Sequence, residues 1–156
     1  RGGEDFAYVG GAGVGDRIEG ETDAEHWKKT VEAMSTLGMG RGEVDAFFRS
    51  ICVCMQLGNV DFDADPDETD GSAVKGGEEE ELRKLARLMM VEEGGLVKAL
   101  THRTVTANRD TYSVPLTPEA ARDGRDAFAK ELYAKLFGWL VGKINAATSA
   151  PQREGG

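Results

Sequence analysis

Three groups of residues have types and spacing that could support chemistry. The first is the run Gly10-Gly11-Ala12-Gly13-Val14-Gly15-Asp16, whose backbone N–H groups could cradle a phosphate. A triphosphate loop of the Walker kind needs a Lys followed by Ser or Thr, and none follows. A dinucleotide fingerprint starting at Gly11 needs glycine at position 16, where Asp16 stands. The run therefore reads as a flexible glycine loop. The second group is Asp61, Asp63, Asp65, Asp67 and Asp70, which suggests a calcium loop. With Asp61 as first ligand, Pro66 falls where the turn needs glycine and Ser72 where a bidentate Glu is required. Starting at Asp63 or Asp65 puts Glu68 or Asp70 at the glycine position. A solvated acidic loop is the expectation.

The third group is Cys52 and Cys54, with His26 and His102. Cysteines two residues apart on a helix point to nearly opposite sides, so they can neither bridge nor share a metal. They read as apolar filler in a reducing compartment. The two histidines are too isolated for a zinc site. No Ser-His-Asp or Cys-His arrangement can be nominated. The expectation is that this chain carries no catalytic, cofactor-binding or metal-binding residue.

The elements around these residues are mostly helical. A helix is expected over 23–37, capped by Asp23 and stopped by Gly38, with Trp27, Val31 and Met34 on one face. A second spans 41–57, where Val44, Phe47, Phe48, Ile51, Cys52 and Met55 follow helical spacing. Residues 60–62 alternate like a short strand, and 63–77 read as an acidic Pro/Gly/Asp/Ser loop. Helices follow over 78–91, with Leu82, Leu85, Ala86 and Met89 inward, and over 93–100. Residues 101–105 and 111–114 are β-prone and flank the polar turn 106–110, which makes a hairpin. Thr117-Pro118-Glu119 then starts a long helix running to about Ala147. Its stripe Phe128, Leu132, Leu136, Leu140 and Ile144 is broadened by Tyr133, Phe137 and Trp139. A stripe that wide implies burial between neighbours, partly from outside this chain.

At 156 residues the chain suffices for one domain, and a compact one would bury roughly 70% of its unfolded surface. Nineteen basic against 28 acidic residues leave a net charge of -9. That balance argues against a nucleic-acid binder, which needs a basic face, and against a polybasic membrane-surface helix. No apolar run reaches the ~18 residues of a membrane span. Seven of the 21 glycines fall in the first twenty residues, so 1–20 reads as a mobile Gly-rich arm or the edge of a missing structure, and 148–156 as a tail. The chain opens on Arg-Gly-Gly-Glu-Asp, with neither an initiator Met nor a signal stretch. Processing or a piece of a longer chain would each account for that.

Several strings together resemble the myosin motor domain. They are Ala99-Leu-Thr-His-Arg-Thr-Val105, Tyr112-Ser-Val-Pro-Leu-Thr117, Arg125-Asp-Ala-Phe-Ala-Lys130, Leu132-Tyr-Ala-Lys-Leu-Phe-Gly-Trp-Leu-Val141 and Ile144-Asn145. Ala33-Met34, Leu37-Gly38, Phe48, Leu57-Gly-Asn-Val60 and Phe62 agree in order and spacing. The resemblance covers about residues 20–147. It departs from the family at Gln56, where many members have His, at Phe128, where Leu is usual, and at Gly124 and Gly138.

The resemblance implies a fragment of the upper 50-kDa subdomain, between switch I and switch II. The fold implied is mainly α with a small β-hairpin, part of the α/β P-loop motor fold. Residues 21–147 would be the partial motor domain, with the acidic loop 63–77 and an actin-contacting hairpin 101–116. Arg103, Asn108, Arg109, Asp110 and Tyr112 would form the actin-binding surface, Asp110 taking the position that the family fills with an acid or a phosphorylatable residue. The complete motor would bind ATP and Mg. This chain lacks the phosphate loop and both switches, so alone it should bind no cofactor and not hydrolyse ATP. Partners would be the actin filament and the remainder of the heavy chain, in the cytoplasmic actin cytoskeleton, with no nucleic acid and no membrane span. The rival reading is a non-motor acidic helical module derived from a truncated myosin. Sequence upstream of Arg1 would discriminate the two.

Overall fold

A computed structural model describes residues 5–9, 20–107 and 109–149. The glycine run 10–16 and the tail beyond 149 lie outside the described residues. Five helices and two antiparallel hairpins follow in the order α1 (Asp23–Thr36), α2 (Arg41–Leu57), β1 (Phe62–Ala64), β2 (Ser72–Val74), α3 (Glu79–Met89), α4 (Glu93–Thr101), β3 (His102–Ala107), β4 (Asp110–Pro115) and α5 (Pro118–Thr148).

Local chemistry sets most helix ends. Thr22, not Asp23, caps α1. Its hydroxyl accepts from the Glu25 amide while the Glu25 carboxylate reaches back to the Thr22 amide, 2.7 Å away. A capping box satisfies two orphan donors where Asp23 would satisfy one. Gly38, at φ +80°, ends α1 as expected, with Met39 N–H on the Met34 carbonyl and Gly38 N–H on that of Ser35. α3 stops at Met89, because Met90 turns left-handed at φ 58° and Val91 N–H closes on the Ala86 carbonyl. α4 starts where the Glu92 carboxylate accepts from the amides of Gly94 and Gly95. Thr117 caps α5 with Pro118 in its first turn.

The acidic loop is more ordered than its composition suggests. β1 begins at Phe62 and pairs with a second strand inside the 63–77 segment, in the register Phe62↔Val74, Asp63↔Ala73, Ala64↔Ser72. The described fold therefore holds two hairpins rather than one.

α2 and α5 run antiparallel. Glu43 near the start of α2 pairs with Lys143 near the end of α5, and Val60 just past α2 meets Arg125 in the second turn-pair of α5. The main core gathers Val53, Leu57, Val60, Phe62, Leu82, Leu85, Leu96 and Leu100 against Ala121 and Ala129 of α5. A smaller core holds Met34, Met39 and Val44, with Phe47, Phe48 and Leu140 against it. Trp27 rests on the Phe48 ring, centroids 4.2 Å apart, and Phe47 stacks on Trp139. α2 thus has two inward faces. Spacing alone singled out the Val44–Phe48 face and missed Val53, Cys54 and Leu57, which α3 and α5 cover.

The long stripe of α5 is only partly used. Leu132 and Leu140 pack inward, while Tyr133 (57%), Phe137 (60%) and Ile144 stay exposed.

Candidate functional site

The expected interaction residues lie on the β3–β4 hairpin. The strands pair from His102↔Pro115 through Arg103↔Val114 and Val105↔Tyr112 to Ala107↔Asp110. Successive side chains alternate faces, so this register sorts the hairpin chemically. Arg103, Val105, Asp110, Tyr112 and Val114 share one face; Thr104, Thr106, Thr111 and Ser113 share the other. Arg103, Asp110 and Tyr112 are exposed, Tyr112 by 52%. The Tyr112 hydroxyl donates to Asp110 Oδ2 at 3.4 Å, a long contact across two positions of one strand. Arg109 occupies the tip at φ 74°, a left-handed conformation that a tight two-residue hairpin loop demands. Asn108 lies outside the described residues.

The hairpin is spliced between two helices without slack. β3 starts at the residue after α4 ends, and the Leu116 amide donates to the Thr101 carbonyl at 2.8 Å, closing the base. Thr101 is buried, and its hydroxyl donates to the Val97 carbonyl. His102 sits at the base of β3, as expected. Its Nδ1 lies 2.9 Å from the Thr101 hydroxyl and its Nε2 3.5 Å from Glu68 of the acidic loop.

The acidic residues do not converge. Asp61 faces Arg122 and Lys75, Asp63 lies within β1, and Asp65 accepts from the Asp67 amide. Among the described residues no group of three or more His, Cys, Asp or Glu could hold a metal. Cys54 is buried, Cys52 half-buried, and both are free thiols. Burial pushes the Cys54 thiol pKa up.

Two arginines of α5, of which the sequence reading named only Arg125 and that within a string, lock the scaffold under the hairpins. Arg122 Nε lies 2.5 Å from Asp61 Oδ1, and its guanidinium also donates to the Phe62 carbonyl. Arg125 is buried and donates to the Val60 carbonyl at 2.6 Å and to Asp126 at 2.9 Å. Burial works against the charge on Asp61, but the Arg122 hydrogen bond, the Phe62 amide and Lys75 overcome it and hold its pKa below the ordinary carboxylate range.

The described part of the N-terminal segment is docked rather than free. The Ala7 amide donates to Asn59 Oδ1 at 2.9 Å, and Asn59 Nδ2 donates to the Asp5 carbonyl at 2.8 Å. The Tyr8 ring lies over Gly58, and its hydroxyl donates to Asp126. In the sequence the Gly58-Asn59 pair reads only as a helix stop, and nothing there signals this docking.

The helical scaffold presents a charged hairpin beside an acidic one. The chain matches the family described as Myosin head (motor domain) over residues 2–155. It is 38% identical to unconventional myosin-XV of Homo sapiens over 136 residues, 86% of this chain and 4% of that protein. It is 36% identical to myosin-13 of Arabidopsis thaliana over 129 residues, 83% of this chain and 9% of that protein. It is 33% identical to unconventional myosin-Vb of Rattus norvegicus over 145 residues, 92% of this chain and 8% of that protein. The chain belongs to the myosin head family. It spans a small fraction, 4% to 13%, of the length of the curated relatives it matches. Among the described residues no helix is long and apolar enough to cross a membrane.

Proposed function

We propose that this chain is a piece of the upper 50-kDa subdomain of an actin-based myosin motor, and that it supplies part of the actin-contacting surface. The observation that carries this reading is the slack-free hairpin between α4 and α5, with Arg103, Asp110 and Tyr112 on one face. Arg103 and Arg109 would pair with acidic side chains of actin, Tyr112 would supply amphipathic contact area, and Asn108 would complete the tip. Asp110 puts a permanent negative charge where a phosphorylated residue would put a conditional one. The acidic hairpin and His102–Glu68 flank this surface.

α4 and α5 would relay the nucleotide state of the complete motor to the hairpin. ATP and Mg would belong to that complete motor, a P-loop fold, working in the cytoplasmic actin cytoskeleton. No residue here is assigned to either. The sequence has no Walker-type loop, and Arg122 and Arg125 are taken up by Asp61, Asp126 and backbone carbonyls. The exposed side of α5 would meet the remainder of the heavy chain.

The test uses the complete motor that contains this segment. Asp110→Ala should weaken actin-activated ATPase and leave the basal rate nearly unchanged, while Asp110→Glu should be close to neutral. Equal loss of both rates would remove Asp110 from the actin interface.

A further inference from the structure

The α2–α5 seam is imperfectly filled at one point. Ile51, Cys54 and Met55 of α2 face Ala129, Lys130 and Tyr133 of α5 across a cavity of about 430 Å³. The α2 residues are spaced i, i+3, i+4, and those of α5, counted from Asp126, i, i+3, i+4, i+7, so each set lies on one helix face. The central residues of the two faces, Cys54 and Ala129, are both buried and both small. Their side chains are short, and the space beside them stays open. The docked arm, through Tyr8 and Val9, walls the same space from a third side.

The walls are almost wholly apolar, and the polar atoms lie at the mouth. There Asp126 is already engaged by Tyr8 and Arg125, which leaves Lys130 as the cation that lines the mouth. Lys130 is exposed at the rim. The volume falls within the ordinary range for small-ligand sites, and two packed helices pre-form it.

We propose that this cavity binds a small aryl anion, with a flat apolar body between Cys54 and Ala129 and one carboxylate or sulfonate at Lys130. Neither the hairpin nor the arginine locks takes part.

The test is a fluorescence titration of the 156-residue chain with anilinonaphthalene sulfonate and with its uncharged counterpart, phenylnaphthylamine. One saturable site is expected for each. Lys130→Glu should weaken the sulfonate about fivefold and leave the uncharged dye unchanged. Cys54→Leu fills the cavity and should abolish both, while Phe137→Asp, on the exposed part of α5, should alter neither. A measurement on the unaltered chain needs no substitution: the bound sulfonate should slow maleimide alkylation of Cys54 but not of Cys52, the two separated by fragment mass spectra. A signal that never saturates, that survives Cys54→Leu, or that disappears with Phe137→Asp overturns the proposal. So does unchanged alkylation of Cys54. Binding by the chain that vanishes in the complete motor would give the cavity to another heavy-chain segment and likewise overturn it.

Discussion

Arg122 on α5 and Asp61 beyond α2 meet at 2.5 Å although 61 positions separate them, and the same guanidinium holds the Phe62 carbonyl. One turn on, Arg125 repeats the grip on Val60 from a buried position. The two should differ in cost when removed. Arg125→Ala strips a donor from the carbonyl of a fully buried residue and should destabilise by about 2–3 kcal/mol. Arg122→Ala also frees the carbonyl of a fully buried residue, Phe62, but its own side chain is half-exposed and paired near solvent, so it should cost less. Urea unfolding of both variants checks the order, and equal, small losses would show the grip to be incidental.

Acid should loosen the same scaffold. Burial opposes the charges of Asp61 and Asp126, but their hydrogen bonds and arginine neighbours win, so both pKa values lie below the ordinary range. A depressed folded pKa means stability that is complete above the unfolded value, about 3.9, and lost as pH falls through the folded one. Melting temperature should therefore drop below about pH 4. In Arg122→Ala that acid limb should be shallower. An unchanged limb would place the acid sensitivity elsewhere.

Alkali should release the arm. Burial first, and the hydrogen bond to Asp126 second, push the Tyr8 phenol up to about 12. Its unfolded value is about 10, so the docking contribution is whole below about pH 10 and lost as pH rises through 12. Gly58→Ala would set a Cβ 2.9 Å from the Tyr8 ring, although the Gly58 backbone, at φ -62°, accepts alanine without strain. Ultraviolet titration should then find Tyr8 ionising in the ordinary range. A phenol still titrating late in Gly58→Ala would contradict the docking.

Two of the three helix-interior glycines of α5, Gly124 and Gly138, offer a gain. A Cβ at Gly124 or Gly138 meets nothing within 4 Å. Alanine at each should stabilise the chain by about 1 kcal/mol. The sites are ~21 Å apart along the helix, so the gains should add. Thermal melts of the single and double variants measure this. A lower melting temperature in either single variant would show that its face is already in use.

Legibility in the sequence followed the range of the forces involved. Thr117-Pro118 and Gly38 marked their helix ends because capping is settled within four residues. Thr22 was passed over for Asp23 because both are capping types, and only the return bond from Glu25 decides between them. β2 was hidden because a three-residue strand has no periodicity of its own; its partner, Phe62–Ala64, defines it. Nothing in the sequence singled out the grips of Arg122 and Arg125, since their acceptors lie 60 and more positions away. Docking of Tyr8 depends on what Gly58 lacks, and an absent Cβ leaves no pattern to read. Of the candidate surface, the hairpin was legible, but the turn expected over 106–110 is shorter, because Thr106 and Ala107 still pair with Thr111 and Asp110. Its division into a charged face and a threonine face needed the register.

The splice of the hairpin between α4 and α5 has a mechanical consequence. Six-residue strands reach about 20 Å from their base. With β3 following α4 directly, Leu116 bonded to Thr101 and Thr117 engaged as the cap of α5, the hairpin is an outrigger clamped at one end. Over that moment arm, a tilt of about 5° at the α4–α5 junction swings Arg109 by nearly ~2 Å. That is enough to make or break a salt bridge at the tip while the helices below scarcely shift.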